Sequence, residues 1–164
     1  MGLDFDFTIS QRMEAKLRRL SETAVSAVIT EALNRTLDSA VEMVKESVPQ
    51  QYERTRDSIR VISRPTSASL RGSIGSSYKQ AYHAEFGTGL YDESPGATKQ
   101  AIDIYPVNKK VLRFETKDGQ VVFTKHVHYK GREALAMFRK NRARIQHLLN
   151  RNVKAAVDQF MGSV

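Results

Sequence analysis

Histidine and carboxylate side chains two residues apart are the first candidates for chemistry in this sequence. His126 and His128 lie on a segment with strand character, so both imidazoles would point to the same side. His83 and Glu85 repeat this spacing earlier in the chain. Imidazole and carboxylate groups bind zinc, but the spacing fits no strong zinc pattern and the chain has no cysteine. We therefore expect solvated polar groups here, with no metal and no cofactor.

Patterns typical of catalytic nucleophiles and acid–base pairs are absent from the sequence. No serine lies in the Gly-x-Ser-x-Gly pattern of hydrolases, and the segment 72–76 lacks the lysine of a phosphate-binding loop. Asp92 and Glu93 fall in a segment with loop composition. Asp103 and Glu115 have no evident partners for proton transfer. The sequence predicts that the protein is not an enzyme.

Basic side chains are concentrated near the C-terminal end, where apolar residues recur with a helical period from Leu135 to Phe160. They are Arg132, Arg139, Lys140, Arg142, Arg144, Arg151 and Lys154. A solvated helix face, an acidic protein partner and nucleic acid all explain such charges. Because no aromatic side chain lies among them, DNA contact would be weak and limited to phosphates. We select Arg139, Arg142 and Arg144 as candidate interface residues.

The stretch Ala81–Gly89 (AYHAEFGTG) joins a short apolar element to a glycine and a polar loop. Tyr82 and Phe86 are four residues apart, which places both rings on one face of a helical turn. Gly87 can adopt the left-handed conformation that ends a helix. Glu85 and Thr88 either bond nearby backbone groups or contact a partner, and we retain both as candidate interface residues.

This stretch resembles the Tyr-Ala-x-x-x-Glu-Phe-Gly-Thr signature of the tail-completion and neck proteins of long-tailed bacteriophages. Upstream, Val48-Pro49 and the segment 55–59 are similar to another part of that family's sequence. Downstream, the segment 104–131 is similar to the family's hairpin region, with Lys130 in place of a usual proline. The resemblance covers roughly residues 40–140.

The resemblance implies a structural virion protein of the phage neck or tail end, assembled in the host cytoplasm. It implies that the protein forms a ring, with six copies as the expected number, and joins the tail to the head. The implied partners are further copies of itself, head-connector proteins, and tail-tube or tail-terminator proteins, with weak contact to genomic DNA. The alternative is a basic nucleic-acid-binding module that makes sequence-independent phosphate contacts.

Composition and charge are consistent with one domain over residues 1–164. No apolar run approaches the roughly 20 residues that span a membrane, so we expect no membrane partner. Residues 1–53 hold six Lys/Arg and nine Asp/Glu, whereas residues 54–164 hold 20 and nine. This split between −3 and +11 suggests that an acidic N-terminal helix of one subunit meets the basic C-terminal helix of the next.

Apolar periodicity predicts one long helix from Ser10 to Val48, ended by Pro49. Because this helix is longer than a small domain, we expect a bend near residues 28–33 or an overhang. Other segments predict a terminal strand at 3–9, a loop at 50–57, strands within 58–63 and 67–77, and an exposed loop at 90–100. The predicted fold is α+β, with the long N-terminal helix and the basic C-terminal helix packed on one face of a small antiparallel sheet that contains a late β-hairpin.

The hairpin has the clearest local signal, two alternating runs joined by Asp118-Gly119. A two-residue turn would pair Phe114 with Phe123. That register predicts one buried face made of Leu112, Phe114, Val121 and Phe123.

Overall fold

A computed structural model describes residues 3–7, 22–66, 69–116 and 118–162. The elements are β1 (Leu3–Phe7), α1 (Glu22–Glu46), a 3₁₀ turn (Gln50–Tyr52), α2 (Glu53–Asp57), β2 (Arg60–Ser63), β3 (Gly72–Ser76), α3 (Lys79–Phe86), β4 (Thr88–Gly89), β5 (Ile102–Ile104), β6 (Leu112–Glu115), β7 (Val121–Thr124), β8 (Val127–Tyr129), β9 (Gly131–Arg132) and α4 (Met137–Gly162). The predicted α+β class, with a long N-terminal helix, a long C-terminal helix and antiparallel strands, is confirmed. Among the described residues the single sheet that was predicted to contain the late hairpin does not form, because β6 and β7 make a two-stranded sheet of their own and α1 is the long helix that packs on the three-stranded sheet.

The chain divides into two compact units. The first unit combines Met1–Glu85 with Ala136–Val164, and the second unit is Phe86–Leu135. The expectation of a single domain over residues 1–164 stays a prediction.

Helix α1 ends before Pro49, as the sequence predicts, because the residue before a proline is disfavoured in the helical region. Its last helical residue is Glu46, and Val48 N donates to Lys45 O at 3.1 Å in the closing turn. The helix is continuous through residues 28–33, where we expected a bend. The predicted start at Ser10 lies outside the described residues.

Helices α1 and α4 form the core of the first unit by packing antiparallel against each other. Two hydrogen bonds fix the alignment, from Asn141 Nδ2 to Ser47 Oγ and from Asn152 Nδ2 to Thr36 Oγ1, both at 3.0 Å. Between these bonds lie buried apolar side chains from both helices, including Leu37, Ala40, Val44, Ile145, Leu148 and Leu149. Burial of this stripe is the main source of stability for the two helices.

The sheet of the first unit has the antiparallel order β1–β3–β2, and α1 packs on β3. All five residues of β3 are buried, and Ile74 is fully buried. Gly72 allows the close approach of the helix, because a Cβ atom there would lie 2.5 Å from Leu37 Cδ1. Both strands predicted around the Arg64-Pro65 turn are present, as is the terminal strand β1.

The segment 50–57 was predicted to be a loop, and that prediction is wrong. It forms the 3₁₀ turn followed by α2. Pro49 has φ −56°, and its carbonyl accepts a hydrogen bond from Tyr52 N at 2.9 Å. This φ is already helical, so Pro49 favours a turn after it although it ends the helix before it. Thr55 is buried and gives α2 an inward face.

The second unit is built from three separate two-stranded antiparallel sheets, β4–β9, β5–β8 and β6–β7. The predicted loop at 90–100 contains no helix or strand, as expected. The apolar period that starts at Leu135 predicts the last helix slightly too early, because helix α4 begins only at Met137. Just before it, Gly131–Arg132 pairs with Thr88–Gly89 as a strand.

The late hairpin β6–β7 is present, but its predicted register is wrong by one residue. Phe114 pairs with Val122, and Arg113 pairs with Phe123. The two phenylalanine side chains therefore lie on opposite faces of the ribbon. Phe114 is 40% exposed and Phe123 is 62% exposed, so the predicted buried face does not form.

The register differs because the hairpin loop has three residues instead of two. Thr116 N donates to Gln120 O at 2.8 Å, and Gly119 N donates to Thr116 O at 3.0 Å. Gly119 has φ +75°. This is the three-residue loop in which a turn is followed by a left-handed residue, and an Asp-Gly pair is suitable for it as well.

We expect Gly72→Ala to destabilise the first unit by about 1–3 kcal/mol, because the new methyl group overlaps the buried Leu37 side chain. The control is Gly162→Ala, where no heavy atom lies within 4 Å of the new Cβ. Urea unfolding followed by circular dichroism measures both. Equal unfolding midpoints for Gly72→Ala and the unmodified protein would show that α1 does not pack closely on β3.

Candidate functional site

Glu85 on α3 is a fully buried carboxylate that binds the N-terminus of α4. Its Oε2 accepts a hydrogen bond from Phe138 N at 2.9 Å, and its Oε1 accepts one from Arg139 N at 3.1 Å. The first backbone N–H groups of a helix have no acceptor within the helix. Glu85 supplies these acceptors, and its negative charge lies at the positive end of the helix dipole.

Arg139 completes this arrangement by binding both ends of Glu85. Its Nε donates to Glu85 Oε1 at 3.1 Å, and its Nη2 donates to the Glu85 carbonyl oxygen at 2.7 Å. The residue before α4 is Ala136, which has φ +51° and no side chain able to cap a helix. A carboxylate distant in sequence therefore caps α4, and Arg139 holds it in place.

Thr88 joins β4 to β9 within the second unit. Its Oγ1 accepts a hydrogen bond from Arg132 N at 3.0 Å and lies 3.4 Å from the Tyr129 hydroxyl. Gly131 has φ +107°, and a Cβ atom there would overlap Thr88 O. Thr88 is half-buried, and its hydroxyl group makes its contacts within the second unit. Its role is therefore local and structural.

The contacts of Glu85 and Thr88 explain why these residue types occur in the Glu-Phe-Gly-Thr stretch. Each contact is made with backbone or side-chain groups of the same chain. As predicted, α3 ends at Gly87, which has φ +80°. Tyr82 and Phe86 are half-buried and do not form a fully buried face. A role of Glu85 and Thr88 in binding a partner stays a prediction, and for Glu85 such a role would act through α4 because the side chain itself is buried.

The three arginines selected from the sequence lie on different sides of α4. Arg139 is engaged by Glu85, whereas Arg142 and Arg144 are exposed. Two residues correspond to about 200° around a helix, so Arg142 and Arg144 point in nearly opposite directions. Reversing all three charges would disturb the cap at Arg139 as well as any interface. A clean test of an interface must leave Arg139 unchanged.

Acidic side chains of α1 already have basic partners within the chain: Asp38 with Arg64 at 2.6 Å, Glu42 with Lys45 at 3.2 Å, and Glu31 with Arg35. The acidic and basic helices also pack against each other in one chain through their apolar faces. A contact between their charged faces in neighbouring subunits stays a prediction. Only the Asp38–Arg64 pair changes the charge balance between the two segments, because Arg35 and Lys45 lie on α1 itself and are already counted in its net charge.

Asp103, His126 and His128 form a polar cluster on the β5–β8 ribbon of the second unit. Asp103 Oδ1 lies 2.8 Å from His126 Nε2 and 2.9 Å from His128 Nδ1. The Tyr105 ring stacks on His126, with 4.7 Å between the ring centroids. Hydrogen bonds from His128 and then His126 lower the pKa of the Asp103 carboxyl below its ordinary value. Our expectation that Asp103 has no partner is wrong.

The two histidines do point to the same side, as predicted, but both face the carboxylate oxygen itself. Within the described residues no group of three or more His, Asp or Glu side chains is arranged to hold a metal ion. His83 and Glu85 do not form a second pair, because His83 is exposed and the buried Glu85 carboxylate is hydrogen-bonded to the N-terminus of α4. Also within the described part of the chain, no helix is long and apolar enough to cross a membrane.

No protein-family model, curated protein or solved structure matches this chain. The resemblance to phage tail-completion and neck proteins therefore rests on the residues quoted above. Sequence reasoning missed three features of the candidate site, and the first is the cap that Glu85 provides for α4. Asp103 is 23 and 25 residues from its histidine partners, so no local signal identifies them. Lys140, Arg151 and Lys154 were noted but not selected, although their helical spacing aligns them with Arg144.

We expect Glu85→Ala to reduce the free energy of unfolding by about 2–4 kcal/mol, because two backbone donors and the Arg139 guanidinium lose their acceptor. Glu85→Gln keeps one acceptor oxygen and should cost less. The control is Glu115→Ala at an exposed carboxylate, which should change stability by less than about 0.5 kcal/mol. Urea unfolding gives all three values, and similar losses at positions 85 and 115 would contradict the capping role.

We expect the pKa of Asp103 to lie below 3.8 and to rise toward that value in a His126→Gln/His128→Gln variant. The stabilisation from this lowered pKa is complete above the ordinary carboxyl pKa. It is lost as the pH falls through the lowered pKa, because protonation removes the bonded carboxylate. Titration of the carboxyl carbon by NMR measures the pKa directly. Identical values in the two proteins would show that the histidines do not hold the carboxylate in solution.

Proposed function

We propose that this protein is a structural component of the neck or tail end of a tailed-phage virion, which forms a ring and joins the tail to the head. In this proposal it acts by self-association and by docking on head-connector and tail-tube or tail-terminator proteins, without catalysis. Two observations support this proposal. The sequence resembles that family over roughly residues 40–140, and the second unit exposes several large apolar side chains.

The exposed apolar surface of the second unit is the observation that carries the proposal. Val107 is 93% exposed, Phe123 is 62% exposed and Tyr105 is 61% exposed. Further large apolar side chains at least 40% exposed in this unit are Leu90, Tyr91, Ile102, Ile104, Phe114 and Val121. Among its described residues no large apolar side chain is buried. A folded unit of this size that has no apolar core of its own is only marginally stable in water.

Burying such side chains against another chain is favourable, at about 1.5–3 kcal/mol for each one fully covered. The partner most consistent with the resemblance is a second copy of the same protein. A heterologous contact that repeats by rotation closes a ring, whereas a two-fold contact stops at a dimer. The ribbons β5–β8 and β6–β7 would then supply the contact surface, and neighbouring virion proteins would bind the ring.

The alternative is a basic nucleic-acid-binding module with sequence-independent phosphate contacts. The observation that favours it is the set of exposed basic side chains on α4 that form no ion pair with any described residue. A ring of the proposed kind surrounds a channel for the genome, so the two functions are compatible. They use different elements, which allows them to be tested separately.

Native mass spectrometry and negative-stain microscopy of the purified protein test the ring. We expect closed oligomers, and we expect Phe123→Asp to shift them toward monomers because it places a charge in the buried contact. The matched control is Met161→Asp, which changes an exposed apolar side chain of α4 that is 54% accessible and lies outside the second unit. A protein that stays monomeric up to its solubility limit, or equal disruption by both variants, would contradict the proposal.

A further inference from the structure

Five side chains form one line along the exposed side of α4, which we name the basic stripe: Lys140, Arg144, His147, Arg151 and Lys154. Their spacing alternates between four and three residues, which follows the 3.6-residue helical repeat. All five are exposed. The opposite side of the helix contains Ile145, Leu149 and Val153 and is buried. From Lys140 to Lys154 the stripe extends about 21 Å along the helix axis.

The positive charges of the basic stripe are not compensated by the described part of the chain. None of its four Lys/Arg residues forms an ion pair with a described residue. Asp158 is the only acidic residue in α4. On α1, by contrast, the charged side chains of Asp38 and Glu42 each form an ion pair with a basic residue. The stripe is therefore a concentrated positive charge that can attract an anionic partner.

The neighbours of the basic stripe indicate which kind of anion it suits. The exposed residues beside it include Ala143 and Ala155, and no exposed residue of α4 before Met161 is large and apolar. Protein interfaces bury an apolar or aromatic centre, which this face cannot supply. Single-stranded nucleic acid requires aromatic rings for base stacking, and the face has none. Phosphates of a duplex need only mobile positive charges.

We propose that the basic stripe binds the phosphate backbone of double-stranded nucleic acid without reading its sequence. Four Lys/Arg side chains in line contact successive phosphates, and their long flexible stems adjust to the spacing. Arg139 takes no part, because Glu85 holds its guanidinium. The inference deepens the alternative function above by naming its element and ligand. It does not depend on ring formation, since the stripe lies in the first unit and the apolar surface in the second.

Fluorescence anisotropy with a labelled random-sequence DNA duplex and the full-length protein tests the proposal over a series of salt concentrations. Neutralising four phosphates predicts a slope of log K against log salt of about −3.5. A second duplex of unrelated sequence should give the same affinity within about twofold, because phosphate contacts carry no sequence information. A single strand of equal length and a poly-glutamate peptide, used as a competitor, are the comparison ligands.

Charge-removing variants locate the contact. Arg144→Gln should weaken binding about 5–10-fold near 0.1 M salt and reduce the magnitude of the slope by about one. The control is Arg142→Gln, which removes the same charge from an exposed residue on the other side of the helix. These exposed substitutions contribute little to stability, so both variants should remain folded, and circular dichroism verifies this. Both should also keep the oligomer mass of the unmodified protein.

Three outcomes would overturn the proposal. The first is an absence of duplex binding at low salt by the folded protein. The second is an equal loss of affinity in Arg142→Gln and Arg144→Gln, which would show attraction by net charge alone. The third is tighter binding of the single strand, or effective competition by poly-glutamate, which would indicate a different ligand. The monomeric Phe123→Asp variant should retain duplex binding, so failure of the ring proposal and failure of this one are distinguishable.

Discussion

The buried carboxylate of Glu85 at the start of α4 is the interaction on which the first unit depends. Burying an unpaired carboxylate costs several kcal/mol, so the position is tolerable only because hydrogen-bond donors surround it. Two come from the backbone of α4, and a third comes from Nε of the Arg139 guanidinium. Ala136 cannot cap the helix itself. The contact therefore fixes where α4 begins, and with it which side chains face α1 and which face outward.

The outward face of α4 and the ribbons of the second unit present two chemically different surfaces. The basic stripe has charge without apolar area, whereas the ribbons combine exposed apolar side chains with exposed charged ones such as Arg113 and Glu115. Charge alone supports weak, salt-dependent binding to a polyanion. Exposed apolar area supports binding to a protein surface. These two surfaces support the two proposals, a contact with phosphate at the stripe and a contact with protein at the ribbons.

Local signals in the sequence were reliable where neighbours in the chain decide the structure. The end of α1 before Pro49, the stop at Gly87 and the apolar period of α4 each involve residues within one or two turns. The cap of α4 could not be predicted, because Glu85 lies 53 residues from Phe138. Asp103 was missed for the same reason. The hairpin register failed because an Asp-Gly pair suits both a two-residue and a three-residue loop.

The charge split between the two ends of the chain also needed the structure to be interpreted. Composition alone suggested an acidic helix of one subunit meeting a basic helix of the next. Ion pairs such as Asp38 with Arg64 show that part of the acidic charge is neutralised locally. Net charge over a segment counts these residues as free, so it overstates the attraction between helices. A count of unpaired charges is the more useful quantity, and the four Lys/Arg residues of the stripe are among those that have no ion pair with a described residue.

We propose that another copy of the chain covers the exposed apolar side chains of the second unit. Hydrogen–deuterium exchange, compared between dilute monomer and assembled protein, tests it most directly. The account predicts new protection of backbone amides in β5, β6, β7 and β8 on assembly, with little change in α1 and α4, whose hydrogen bonds are already formed within the chain. Protection confined to α1 and α4, or unchanged exchange in all four strands of an assembled protein, would contradict it.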